Sequence, residues 1–131
     1  MVSNLKGKSI LTDNMDYCLI CNKPKAATHH LLSGIANRRL SDSDRVVVPL
    51  CWEHHTGKKG IHTLREVEVL GKIIGQLAWE KHHILELLIK ERLDKKGRKG
   101  LDWRNEWTEQ FHKINDDARD AFRSRYGKSF L

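Results

Sequence analysis

Residues 18–62 read CLICNKPKAATHHLLSGIANRRLSDSDRVVVPLCWEHHTGKKGIH, and this stretch decides the fold. It holds all three cysteines and five of the eight histidines of the 131-residue chain. Cys18 and Cys21 make a C-x-x-C, and Cys51 with His54 makes a C-x-x-H about thirty residues later. Two such knuckles supply thiolates and an imidazole, the ligands that borderline-soft zinc prefers, each knuckle biting with two groups. Cys18, Cys21, Cys51 and His54 are therefore candidate ligands of a structural Zn2+. Four-coordinate zinc leaves His29, His30, His55 and His62 unclaimed.

Working outward, Asn22, Lys23 and Pro24 supply the turn that a knuckle needs. Residues 26–32 (AATHHLL) read as a short strand. Residues 33–44 (SGIANRRLSDSD) read as a loop, and 45–50 (RVVVPL) as a second strand that Pro49 ends at an edge. From Cys51 a helical turn begins and breaks at Gly57 and Gly60. A long helix is predicted from Thr63, with Leu64, Val67, Leu70, Ile74, Leu77 and Ala78 at helical spacing. Gly71 and Gly75 lie four apart inside it and mark a close packing contact rather than a break. The segment 82–93 continues helical, and 95–100 (KKGRKG) is a basic hinge. A last helix is expected over about 102–125, with Asp102 as N-cap and Trp103, Trp107, Phe111, Ile114, Ala118 and Phe122 as its apolar stripe, stopped by Gly127. The expected fold is α+β: a small zinc-stapled hairpin of two strands and a helix, followed by a mostly helical C-terminal half. The expected divisions are a lead-in over 1–16, the metal-bearing domain over 17–81 and a helical extension over 82–131.

The 24 Lys and Arg against 17 Asp and Glu give a formal net charge of +7, which favours a polyanionic partner. An odd cysteine count, with two of the three in one metal-type knuckle, favours a reducing cytoplasm over disulfides. The opening MVSNLKGKSI has no apolar signal segment, and no apolar run reaches the ~18 residues that span a membrane. The expectation is a soluble intracellular protein without a membrane partner.

Hydrolysis of a phosphodiester needs a base for water and a divalent ion to stabilise charge on the phosphate. His29, His30 and His55 can supply one base and two ligands, although neighbours on a regular strand face opposite ways. His62 is either a further ligand or a capping or surface residue. Arg38, Arg39, Arg45, Lys58 and Lys59 flank the hairpin and metal helix and are candidates for holding DNA phosphates without reading sequence. His82, His83 and His112 lie on helices without cysteine or carboxylate partners at ligand spacing, and read as structural or exposed.

The pattern YCLIC, ATHHLL, VVVPLCWEHH and GIH resembles the HNH, or His-Me finger, endonucleases in their zinc-knuckled form. It is most similar to small phage-encoded members related to recombination-associated nucleases. The resemblance covers roughly residues 17–80, and the ending AFRSRYGKSFL also looks like the tail of such proteins. It implies a ββα-metal fold around one divalent ion, with a structural zinc outside it, and metal-dependent cleavage of DNA in the host cytoplasm. By motif position His30 resembles the general base, and His29 takes a ligand place often filled by Asp. His55 resembles the final metal-binding histidine, and His54 stands where the fourth zinc cysteine usually sits. The middle Asn of the motif is Val46 here, with Asp44 nearby. The catalytic ion is open between Mg2+, Mn2+ and Zn2+, and imidazoles suit Zn2+ or another transition metal better than Mg2+. The alternative to an enzyme is a zinc-containing DNA-binding or recombination-accessory module without catalysis.

Overall fold

The computed structural model describes residues 8–34, 37–94 and 107–131, and side chains within these outside 89–94 and 107–111. The order of elements is β1 (Ala27–His30), α1 (Asn37–Ser43), β2 (Val47–Leu50), α2 (Trp52–His55), α3 (Arg65–Asp94) and α4 (Trp107–Tyr126). The class is α+β. The chain divides into two compact units, one of residues 1–79 with 130–131 and one of residues 80–129.

In the first unit β1 and β2 pair antiparallel, with Ala27 opposite Leu50, Thr28 opposite Pro49, His29 opposite Val48 and His30 opposite Val47. All four β2 residues are buried, in keeping with a short continuous apolar run. Pro49 does not end the strand. The Ala26 N–H donates to Leu50 O and the Leu31 N–H to Val46 O, so the even-numbered residues of β2 face β1. Val47 and Pro49 therefore turn their backbone groups outward, where a missing N–H removes no bond between the strands. On that outer side Val47 O accepts from Ser9 Oγ at 2.5 Å, and Pro49 O accepts from the Leu19 N–H at 2.9 Å.

Residues 37–43 form helix α1, where the sequence predicts a loop. The helix is short and mostly polar (NRRLSDS), and a tertiary contact secures it. Ser41 is fully buried; its hydroxyl donates to Val46 O at 2.7 Å and accepts from the Leu32 N–H at 3.4 Å. Arg45, just beyond, adopts a left-handed backbone (φ 59), and its Nε donates to Lys8 O at 2.6 Å.

Helix α3 packs through its small residues. Gly71, Gly75, Gln76 and Trp79 are buried, whereas Leu70, Ile74 and Leu77 are exposed. A Cβ at Gly75 would lie 3.0 Å from Leu31 Cβ and 3.2 Å from both Leu32 Cδ2 and Val46 Cγ1. The helix backbone thus lies directly on the end of β1 and the start of β2, as the glycine spacing predicts. Trp79 Nε1 donates to the buried Asp44 carboxylate at 2.9 Å. The Phe130 N–H donates to Gln76 Oε1 at 2.6 Å, and Lys72 Nζ sits 5.7 Å from the Phe130 ring centre.

In the second unit Ala118, Phe122 and Tyr126 recur at four-residue spacing on α4 and are buried, with the Phe122 and Tyr126 rings stacked at 4.6 Å. Arg119 Nε donates to the buried Glu80 carboxylate at 3.1 Å. His82 does have a carboxylate partner, contrary to expectation: Glu86, one turn along α3, at 3.1 Å. The hinge 95–100, the N-cap Asp102 and Trp103 lie outside the described residues, as do the side chains of Trp107 and Phe111. No described helix is long and apolar enough to cross a membrane.

Candidate metal centre

Two groups of side chains converge in the first unit. The first is Cys18, Cys21, Cys51 and His54. A tight turn presents Cys18 and Cys21: the Cys18 N–H donates to Lys23 O at 2.6 Å, the Asn22 N–H to Cys18 O at 2.8 Å, and Asn22 takes the left-handed conformation (φ 62). Cys51 follows β2 and occupies the N-cap position of α2, making no side-chain cap bond there. Its sulfur lies 3.6 Å from the Cys21 sulfur and 3.2 Å from His54 Nδ1, which is 3.7 Å from the Cys18 sulfur. Tetrahedral zinc, with Zn–S of about 2.3 Å and Zn–N of about 2.0 Å, sets neighbouring ligand atoms roughly 3.3–3.8 Å apart. The group can hold a metal ion such as zinc.

The electrostatics of the thiols agree with that use. Burial raises the Cys18 thiol, but hydrogen bonds from the backbone of Cys51, Cys21 and Ile20 and from the Cys21 side chain outweigh it, holding Cys18 down at about 6. A backbone bond from Lys23 lowers Cys21, but burial and the adjacent Cys51 and Cys18 sulfurs, with the Cys18 charge, push it up overall. One thiolate forms readily and resists a second beside it. A divalent cation removes that conflict.

The second group is His29, His55 and His62, whose candidate ligand nitrogens, like the ligand atoms of the first group, lie within 4.8 Å of one another. His29 comes from β1 and is buried, His55 ends α2, and His62 lies in the turn before α3. The Nε2 atoms of His55 and His62 are 3.0 Å apart. The ring centres are separated by 5.4 Å (His29–His55), 4.8 Å (His29–His62) and 4.6 Å (His55–His62). The rings meet edge to face, so the lone-pair edges rather than the faces can converge on an ion.

A chain reversal brings His62 back. The Ile61 N–H donates to His54 O at 2.8 Å and the His62 N–H to His55 O at 3.1 Å. Gly60 is required for it, because a Cβ there would stand 2.7 Å from the His55 carbonyl oxygen. Burial, then repulsion from His62, His55 and His30, hold the His29 imidazole down at about 3, against a small opposing effect of Glu68. Burial and His62 also lower His55. The uncharged imidazole is the form that ligates metal.

His30 does not join this group. It is the next residue of β1, and its Nε2 lies 3.1 Å from Asp42 Oδ1. His30, Arg38, Arg39 and Asp42 line one open cleft. Sequence reasoning misses Asp42, because its approach to His30 depends on the unexpected helix α1. Arg38 and Arg39 are exposed, as are Lys58 and Lys59 in the turn after α2. Arg45 is committed elsewhere: Lys8 O accepts from its Nε, and its Nη1 is 3.2 Å from Asp42 Oδ1. Val46 is fully buried, and Asp44 is turned to Trp79. Compared with protein-family models, with curated proteins and with solved structures, the chain matches none.

Proposed function

We propose that the protein is a metal-dependent DNA endonuclease of the HNH type, with a structural Zn2+ on Cys18, Cys21, Cys51 and His54. The observation that carries this reading is the convergence of His29, His55 and His62, with His30 presented from the same strand beside two exposed arginines. A divalent ion held by the three histidines would stabilise charge on the phosphate and on the leaving oxygen. Imidazoles without a carboxylate favour Zn2+ or another transition metal over Mg2+. His30 takes a proton from the attacking water as the new P–O bond forms and the ester P–O bond breaks. Arg38 and Arg39 hold the DNA backbone, and Lys58 and Lys59 add charge after α2. Arg45, whose Nε and Nη1 meet Lys8 O and Asp42, is less open to DNA than Arg38 and Arg39. The resemblance to phage nucleases supports a role in DNA recombination or processing.

One observation favours a second reading, a DNA-binding accessory module without catalysis: the position of the motif Asn holds a buried Val46. Nicking of supercoiled plasmid and degradation of single-stranded DNA separate the two. Assays in Mg2+, Mn2+, Zn2+ or EDTA should show metal-dependent cleavage that His30→Ala abolishes. Salt-sensitive DNA binding without cleavage in any metal would select the accessory module instead.

A further inference from the structure

The carboxylate beside His30 has two partners on one oxygen, on a side chain that is otherwise exposed. Asp42 Oδ1 lies 3.1 Å from His30 Nε2 and 3.2 Å from Arg45 Nη1. Arg45 is fixed in turn by Lys8 O, and its own carbonyl accepts from the Ile10 N–H at 3.0 Å. On either side of this contact, Ser41 is bonded to Leu32 and Val46, and Asp44 to Trp79. The segment 41–45 is therefore tied to both strands and to α3, and the position of Asp42 is set by the fold.

An ionised carboxylate only accepts hydrogen bonds. The contact with Asp42 therefore requires the N–H of the neutral His30 ring to be at Nε2 and leaves the lone pair at Nδ1. We infer that Asp42 is a positioning residue for His30, fixing its tautomer and ring orientation so that Nδ1 receives the proton of the attacking water. This rests on the nuclease reading above. In the step, one O–H bond of water breaks and its proton goes to Nδ1. The hydroxyl oxygen bonds to phosphorus, and the ester oxygen leaves with the electron pair of the broken P–O bond. Asp42 stays ionised and stabilises the imidazolium that results, the part a carboxylate plays beside a histidine base in other hydrolases. A group from helix α1 thus orients the base.

Two measurements on the full chain test the inference. Nitrogen-15 NMR of the imidazoles should show His30 protonated at Nε2 and bare at Nδ1, and Asp42→Ala should mix the tautomers. In the plasmid assay Asp42→Ala should lower kcat by about 10- to 100-fold with little change in KM. Asp42→Asn, which keeps an acceptor oxygen without the charge, should fall between it and the wild type. If Asp42→Ala lowers the melting temperature, the near-isosteric Asp42→Asn carries the comparison. A His30 ring protonated at Nδ1, or an Asp42→Ala protein cleaving at the wild-type rate, overturns the role of Asp42 alone. Wild-type protein that has the Nε2 tautomer but cleaves nothing in any metal overturns the nuclease reading, and with it the catalytic use of the pair.

Discussion

His54 and His55 are consecutive in one turn of helix, yet they join different groups of candidate ligands. His54 places Nδ1 3.2 Å from the Cys51 sulfur, and His55 places Nε2 3.0 Å from that of His62. Successive helical residues point about 100° apart, so the four residues of α2 face both centres at once. The two groups are thereby joined through α2, so an ion held by the first would also steady the helix that carries His55.

Cys18→Ser should therefore cost both ions. Structural zinc contributes on the order of 10 kcal/mol to folding in small zinc domains, so its loss should unfold the first unit. Elemental analysis and thermal melting check this. A folded Cys18→Ser protein that keeps an ion at the three histidines would show the centres to be independent.

His62→Ala should remove only the second ion, weakening its binding by more than the roughly 100-fold typical of losing a supporting group. The melting profile of the zinc-loaded fold should hardly change, since His62 is exposed. Gly60→Ala should act on the same site through the backbone, because its Cβ would stand 2.7 Å from His55 O. Metal titration by calorimetry distinguishes these variants from the wild type. Unaltered affinity in both would exclude His62 as a ligand.

Acid should destabilise the fold through His29. Its folded value, about 3, lies below the ordinary 6.5, so below 6.5 the unfolded chain binds the proton that the folded chain refuses. Stability is then complete above pH 6.5 and declines as the pH falls from there toward 3. Denaturant unfolding at pH 7.5, 6 and 5 should give a steeper decline for wild type than for His29→Gln. Equal declines would assign the acid sensitivity to other groups.

Gly75→Ala and Gly71→Ala should differ. At Gly75 a Cβ meets three side-chain atoms at 3.0–3.2 Å, one of them the Cβ of Leu31, which has little room to give. At Gly71 the contact is 2.8 Å, but with Cδ1 of Ile61, a side-chain end that can rotate away. Overpacking of about 1–3 kcal/mol should dominate at Gly75. At Gly71 the helix preference for Ala, about 1 kcal/mol, should nearly offset the strain. Melting temperatures of the two variants decide it.

The strands, the long helix and the convergence of the four knuckle residues were legible because spacing and β-branched runs report them directly. Helix α1 was not, because seven mostly polar residues carry no periodic signal and a buried Ser41 secures them. The packed face of α3 was half legible. The glycines announced it, while the most apolar positions, Leu70, Ile74 and Leu77, face outward. Within the candidate site, His62 remained open because its return depends on the reversal at Gly60. Asp42 was invisible because the helix that delivers it was.

The outward side of β2 also bears on how the molecule behaves when concentrated. A strand edge with regularly spaced free carbonyls and N–H groups is a template for another chain, the usual seed of fibrillar growth. Here Ser9 takes the Val47 carbonyl, Leu19 takes that of Pro49, and the proline offers no N–H. An incoming strand would have to displace both partners and would still find a gap in the ladder. The smallest of sheets is thus closed along one margin to recruitment of a third strand.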